Sequence, residues 1–207
     1  ECHTPGEIIN ADIIGPIADL DPTNKYVSVM IDRATGFASA ECMATRDDRV
    51  IAKQLQLFSA LLGHPIQCIR SDNGPEYKSK HLADLYKKLH IRTEFTAPHS
   101  PAQNGMVERF NRTLVEMTKA MLKHVPSLVS DLWAYAIDYA IHLYNRIPRV
   151  SHGNISPYEA LYKQCPDMSN CKPFGSECEK ILTEIFGLGP RTSTQNDGTF
   201  NGKKRSE

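Results

Sequence analysis

The sequence has no net charge, no paired-cysteine motif, no long apolar run and no internal repeat. Each absence closes a class of reading. Lys plus Arg and Asp plus Glu both number 24, so the chain is not a histone-like or polybasic binder. Nucleic acid stays open, because a balanced total can hide a split. The six cysteines are Cys2, Cys42, Cys68, Cys165, Cys171 and Cys178. They include no Cys-x-x-Cys pair, and the gaps of five and six residues among the last three match no common structural zinc site. Reduced thiols are the expectation. No apolar run approaches the roughly 18 residues of a membrane-spanning helix, and the N-terminus has no signal-peptide pattern; no membrane partner is expected. The first residue is Glu rather than Met, which reads as a piece of a longer or processed chain.

What is present is ordinary globular composition over 207 residues, enough to bury a core without a disulfide or metal staple. The charge is split. Residues 1–64 hold 5 basic and 9 acidic side chains, residues 65–149 hold 12 and 8, and residues 150–207 hold 7 and 7. The middle is basic and the beginning acidic, which on charge alone reads first as solvated faces, with a nucleic-acid footprint as the alternative.

Periodicity places the elements. Glu7–Ile14 reads as a strand. Tyr26–Asp32 and Phe37–Met43 read as a hairpin across the Arg33–Gly36 turn. Asp47 or Asp48 caps a helix through Leu62, stopped by Gly63 and Pro65. Ile66–Arg70 is a short strand, Ser79–Leu89 a helix and Arg92–Thr96 a fifth strand. This order, βββαβαβ, is an α/β plan with a mixed sheet. His99–Gly105 reads as a loop, and Asn104-Gly105 as the start of a long helix whose stripe is Val107, Phe110, Leu114, Met117 and Met121. Asp131–Arg146 and Pro157–Tyr162 follow as helices, with Phe110, Trp133 and Tyr135 expected in the core. The expected divisions are a core over 1–150, a helical extension over 151–186 and a polar, disordered tail over 187–207. In that tail Lys203-Lys204-Arg205 reads as a nuclear address or as plain solvated chain.

Three carboxylates sit in unusual places. Asp12 lies inside an apolar strand, where an unpartnered charge is costly. Asp72 follows the strand that precedes Asn-Gly-Pro, and ligands gather at strand C-termini. Glu108 opens the long helix beside Val107, facing the flank of the core. Singly, Asp12 reads as an edge-strand surface residue, Asp72 as a turn former and Glu108 as a partner of the helix dipole. Converging at one end of a sheet, they make an all-oxygen site for hard divalent cations. Two such ions about 3.5–4 Å apart clamp a scissile phosphate.

Asp72 and Glu108 are separated by 35 residues, within IRSDNGPEY and HSPAQNGMVERFNRTL. This resembles the second and third parts of the Asp, Asp, thirty-five, Glu signature of retroviral and retrotransposon integrases. TPGEIINADIIGPI resembles the strand of that family's first aspartate, with Asn10 where His is usual. LWAYAIDYAIHLYNRIPRVSHGNISPYEALY and NCKPFGSEC resemble the copia-type integrases (Pseudoviridae), with Ser176 at the place of the usual Cys. The likeness runs from about Thr4 to Cys178.

The resemblance implies an RNase H-like fold, a five-stranded mixed sheet flanked by helices with extra C-terminal helices. It implies a polynucleotidyl transferase that processes DNA 3′ ends and joins them to target DNA. Asp12, Asp72 and Glu108 would be the catalytic and metal residues for two Mg²⁺ or Mn²⁺ ions. The expected DNA contacts are Asn73, Gln103, Asn104, Gly105, Arg112 and Lys119. Arg112 and Lys119 fall within about 40° of Glu108 around the helix; Arg112 also suits an i,i+4 pair with Glu108. The implied partners are double-stranded DNA, further copies of the chain and other Pol polyprotein segments. The implied place of action is the nucleus, after synthesis in the cytoplasm. The family's His-His-Cys-Cys zinc domain and long C-terminal region find no match here. The competing expectation is therefore a degenerate or domesticated relative that binds DNA or protein without activity. RNase H itself would need a further acid within Ala52–Leu62, and that stretch has none.

Overall fold

The computed structural model describes residues 4–17, 25–95, 101–124, 129–149 and 153–176. The expected polar tail and its basic triplet lie outside the described residues. The chain divides into two units, Glu1–Gly175 and Ser176–Glu207, and the fold below is that of the first.

Five strands form one sheet: β1 (Ile9–Ile14), β2 (Tyr26–Asp32), β3 (Ala38–Met43), β4 (Cys68–Ser71) and β5 (Arg92–Phe95), in the order β3-β2-β1-β4-β5. β1 runs antiparallel to β2 and parallel to β4. β2–β3 is antiparallel and β4–β5 parallel. The mixed sheet is the one expected. β1 is its central strand, so the edge-strand reading of Asp12 falls away.

The period of two along the strands sorts side chains between two cores. Ile9, Ala11 and Met30 pack on one face with Ile51, Leu55, Phe58 and Leu62 of α1 (Asp48–Leu62). Leu82 and Tyr86 of α2 (Lys80–Lys88) and Leu161 of α5 (Pro157–Tyr162) complete that core. Val27, Val29 and Ile31 pack on the other face. Their partners are Val107, Phe110 and Leu114 of α3 (Pro101–Leu122) and Trp133, Ile137 and Tyr144 of α4 (Val129–Arg146). Among the described residues no helix is long and apolar enough to cross a membrane.

The signals at α1 act as read. Asp47 accepts the Arg49 N–H, and Gly63 closes the helix in the left-handed region at φ 65°. The start of α3 differs from the expectation. The helix begins at Pro101, so Gln103 and Asn104 lie in its first turn and Gly105 inside it. Proline suits a first helical position because it has no N–H to satisfy and its φ is already helical. Tyr135 is a second correction. Phe110 and Trp133 are 2% and 1% exposed, but Tyr135 is 65% exposed. It stands about 200° around α4 from Trp133 and faces away from the sheet.

Candidate active site

The strand period turns Asn10 and Asp12 toward α3. Asn10 Nδ2 donates to the Met106 sulfur at 3.8 Å. Asp12 is half-buried. Its Oδ1 accepts the Ile13 N–H at 2.8 Å, and its Oδ2 accepts Asn111 Nδ2 of α3 at 2.7 Å. Burial pushes the Asp12 carboxyl above the ordinary aspartate range. The hydrogen bonds from Ile13 and Asn111 oppose that rise, the negative charge of Asp72 adds to it, and the charge of Arg46 lowers it.

Asp72 comes directly after β4, the parallel neighbour of β1. Two parallel strands side by side deliver their C-terminal ends to one edge of the sheet, which brings Asp72 within electrostatic reach of Asp12. Asp72 Oδ1 accepts the Gly74 N–H at 3.0 Å, so it shapes a turn as well. Gly74 leaves room for both side chains: a Cβ there would meet Glu76 Oε1 at 2.7 Å and Asp72 Oδ1 at 3.0 Å, so either carboxylate would have to shift. Pro75–Lys78 then forms one 3-10 turn. It buries Tyr77, whose hydroxyl has no hydrogen-bond partner among the described residues. Burial pushes the Tyr77 phenol well up, and the charges of Asp12 and Asp72 both push it further. Tyr77 thus borders the same acidic space.

Glu108 stands on α3 one turn before Asn111, and it is exposed. The expectation that it faces the flank of the core is corrected: it is one residue, or about 100°, past Val107, enough to leave the apolar stripe. Among the described residues no three Asp, Glu, His or Cys side chains are gathered in a way that could hold a metal ion. The structure therefore brings Asp72 within electrostatic reach of Asp12 and bonds α3 to Asp12 through Asn111, while Glu108 projects from the turn before Asn111.

Of the expected DNA contacts, Asn73, Arg112 and Lys119 are exposed. Glu108 and Arg112 form no ion pair among the described residues, so the plain i,i+4 reading of Arg112 is not realised. Gly105 is half-buried within α3. The side chains of Gln103 and Asn104 lie outside the described residues. Sequence reasoning missed Asn111, Glu76, Tyr77 and Arg46. The first three could have been found: Asn111 is one helical turn past Glu108, and Glu76 and Tyr77 end the segment that begins at Asp72. A separate groove of about 340 Å³ between β3 and α1, lined by Ser39, Gln54, Leu57 and Leu61 among others, holds neither aspartate. It is not this site.

Two family models, both described as integrase core domain, match residues 3–101 and 89–157. The chain is 32% identical over 174 residues to the retrovirus-related Pol polyprotein from transposon TNT 1-94 of Nicotiana tabacum, covering 82% of this chain and 13% of that one. It is 32% identical over 182 residues to the corresponding polyprotein from transposon RE2 of Arabidopsis thaliana, covering 84% and 12%. The chain thus spans about an eighth of the length of these curated relatives. Among solved structures it resembles the simian T-cell lymphotropic virus intasome in complex with PP2A regulatory subunit B56 gamma. That match has a TM-score of 0.67 at 25% identity and covers 84% of this chain and 62% of that one. The HTLV-2 integrase catalytic core domain in complex with magnesium, trimeric form, has a similar fold, with a TM-score of 0.61 at 22% identity over 78% and 99%.

Proposed function

The chain belongs to the integrase core domain family, and from that premise we propose that it is the catalytic core of a copia-type retrotransposon integrase. The reaction is metal-dependent processing of DNA 3′ ends and their transfer into target DNA. The observation that carries this reading is the pairing of Asp12 with Asp72 across neighbouring parallel strand ends, with Asn111 of α3 bonded to Asp12.

The chemistry of the donors suits a divalent cation. Asp12 is half-buried and held above its ordinary pKa by burial and further by Asp72, so the charge of Arg46 does not fully offset the pair. The candidate donors are carboxylate oxygens, the ligands that Mg²⁺ and Mn²⁺ prefer. Asp12 and Asp72 would hold the metal, with Glu108 joining from the turn of α3 next to Asn111. When bound, such ions activate the attacking oxygen and offset charge on the leaving one. Asn111 fixes the orientation of the Asp12 carboxylate. Arg112 and Lys119, on the same solvent face as Glu108, would bind phosphates of the DNA end, with Asn73, Gln103, Asn104 and Gly105 contributing contacts nearby. Water in the first step and the freed 3′-hydroxyl in the second attack phosphorus in line. No covalent enzyme intermediate is needed, so catalysis is positioning plus charge stabilisation. The working form is an oligomer on DNA, together with other Pol segments, and it acts in the nucleus after synthesis in the cytoplasm.

One observation favours a second reading. Glu108 stands outside the aspartate pair, as it would in a degenerate relative that only binds DNA or protein. Strand transfer of labelled duplex DNA with Mg²⁺ or Mn²⁺ separates the two. It should be measured on this chain and on a version carrying an upstream zinc domain. Activity that Asp72→Asn abolishes is the expected result; no metal-dependent product from either protein would overturn the enzyme reading and leave the binding one.

A further inference from the structure

Arg46 sits in the loop between β3 and the Asp47 cap of α1, where no sequence motif pointed to a cation. Its Nη1 donates to Glu76 Oε1 at 3.3 Å, and its guanidinium lies over the Tyr26 ring, 5.5 Å from the centroid. The Glu76 side chain is 3% exposed and that of Arg46 is 44% exposed. Glu76 and Asp72 both crowd the same face of Gly74, so the ion pair shares a turn with a proposed catalytic carboxylate. The Arg46 charge is also felt at Asp12, where it favours the ionised form.

A buried carboxylate needs a cationic partner, because an unpaired charge there is strongly destabilising. That explains why Glu76 is paired. It does not explain why the partner is an arginine held at the surface beside an acidic site. A guanidinium has five N–H donors in a planar fork, and one of them meets Glu76. The ring beneath and the carboxylate beside it hold the plane, while the exposed edge can meet an anion. A fork held this way matches phosphate oxygens, and holding it in advance lowers the ordering cost of binding.

Resting on the integrase reading, we infer that Arg46 binds a backbone phosphate of the DNA next to the scissile one, and that Glu76 is a positioning residue acting through Arg46. The contact adds a cation from the β3 side to those expected on α3. Glu76 carries out this role as the buried anchor of an ion pair, not as a further metal ligand.

The test uses the whole chain and a labelled 20-base-pair duplex, with EDTA present so that no chemistry occurs. Binding is followed by fluorescence anisotropy over a series of salt concentrations. Losing one phosphate contact should flatten the slope of log K against log salt by about 0.9. Arg46→Gln is expected to show that loss, and Arg46→Lys to keep the wild-type slope. Should Arg46→Gln fail to fold with Glu76 left unpaired, the double variant Arg46→Gln/Glu76→Gln, which removes both charges, carries the measurement with the same expected slope. Glu76→Gln should slow strand transfer at saturating DNA about tenfold when Arg46 is present, and not at all when Arg46 is already Gln. A folded variant lacking Arg46 that keeps the wild-type slope overturns the phosphate contact. An equal Glu76→Gln effect in both backgrounds overturns the positioning role. A wild-type chain that binds no duplex even at the lowest salt overturns the integrase reading itself, a result distinct from the other two.

Discussion

Two stretches of this molecule are rich in motif residues, and they use their polar atoms in opposite ways. In the α4–α5 stretch the side chains are spent on the fold. Asn145 accepts the Ala38 N–H at 2.9 Å and donates to the Ala38 carbonyl at 2.8 Å, closing the start of edge strand β3. Arg146 donates to the His142 carbonyl and lies over the Tyr158 ring. Arg149 donates to the Tyr144 carbonyl and stacks on its ring. Ser156 accepts the Glu159 N–H as the cap of α5, with Pro157 in its first turn. At the end of the sheet between β1, β4 and α3, two carboxylates lie within electrostatic reach of each other, a buried phenol has no partner among the described residues, and Glu108, Arg112 and Lys119 stand exposed. Recurring residues in the first stretch make structure. In the second they leave local conflict, which is what a binding or catalytic site retains.

The largest expected effect separates the two stretches on activity. Asp72→Asn should lower strand transfer by about 10³-fold or more, with the thermal midpoint close to wild type. A comparable loss of midpoint would mean that Asp72 belongs with the structural stretch. The converse is Asn145→Ala. It leaves a buried N–H and carbonyl of Ala38 without partners, for a loss of about 3 kcal/mol in urea unfolding. Activity per folded molecule at low temperature should hold. Activity lost without destabilisation would break the comparison from the other side. Asn111→Leu should fall between them. It removes the donor that orients Asp12, for a drop of about tenfold in rate and little change in midpoint.

The sequence was informative where the physics is local. The Asp47 cap, the Gly63 stop, the Ser156-Pro157 start and the stripe from Val107 to Leu114 depend on neighbours within a turn or two, and each appears in the structure as read. Asp12 and Asp72 stood out only in company: singly each also read as a surface or turn residue, and the spacing of Asp72 to Glu108 with the segments around all three set them apart. Three features were not legible, and each for a stated reason. α3 starts at Pro101, before the Asn-Gly pair where its start was expected, because proline fits a first helical turn. Tyr135 belongs to an aromatic run, but a helix turns it away from the core that its neighbour Trp133 enters. Arg46 and Glu76 lie 30 residues apart, and only the sheet and its loops bring them together. No spacing rule reports such a pair.

The smallest expected effect tests whether the site end is under electrostatic strain without metal. Burial holds the Asp12 carboxyl above its ordinary value of 3.8, so folding disfavours its ionised form. The sign follows from proton linkage. The contribution to stability is fully present below pH 3.8 and is lost as pH rises from there through the higher folded-state value. In EDTA, the stability of wild type minus that of Asp12→Asn should therefore fall across that window and level off above it. Urea unfolding of both proteins from pH 3.5 to 7 measures it, and the change should be smaller than the loss from Asn145→Ala. Asp138 is also raised by burial and by the Glu41 charge, but it is present in both proteins and cancels in the difference. Divalent metal should reverse the trend in wild type and not in the variant, because the cation replaces the proton as the counter-charge. A flat difference would show that Asp12 carries no such strain, and the contrast between the two motif-rich stretches would then rest on activity alone.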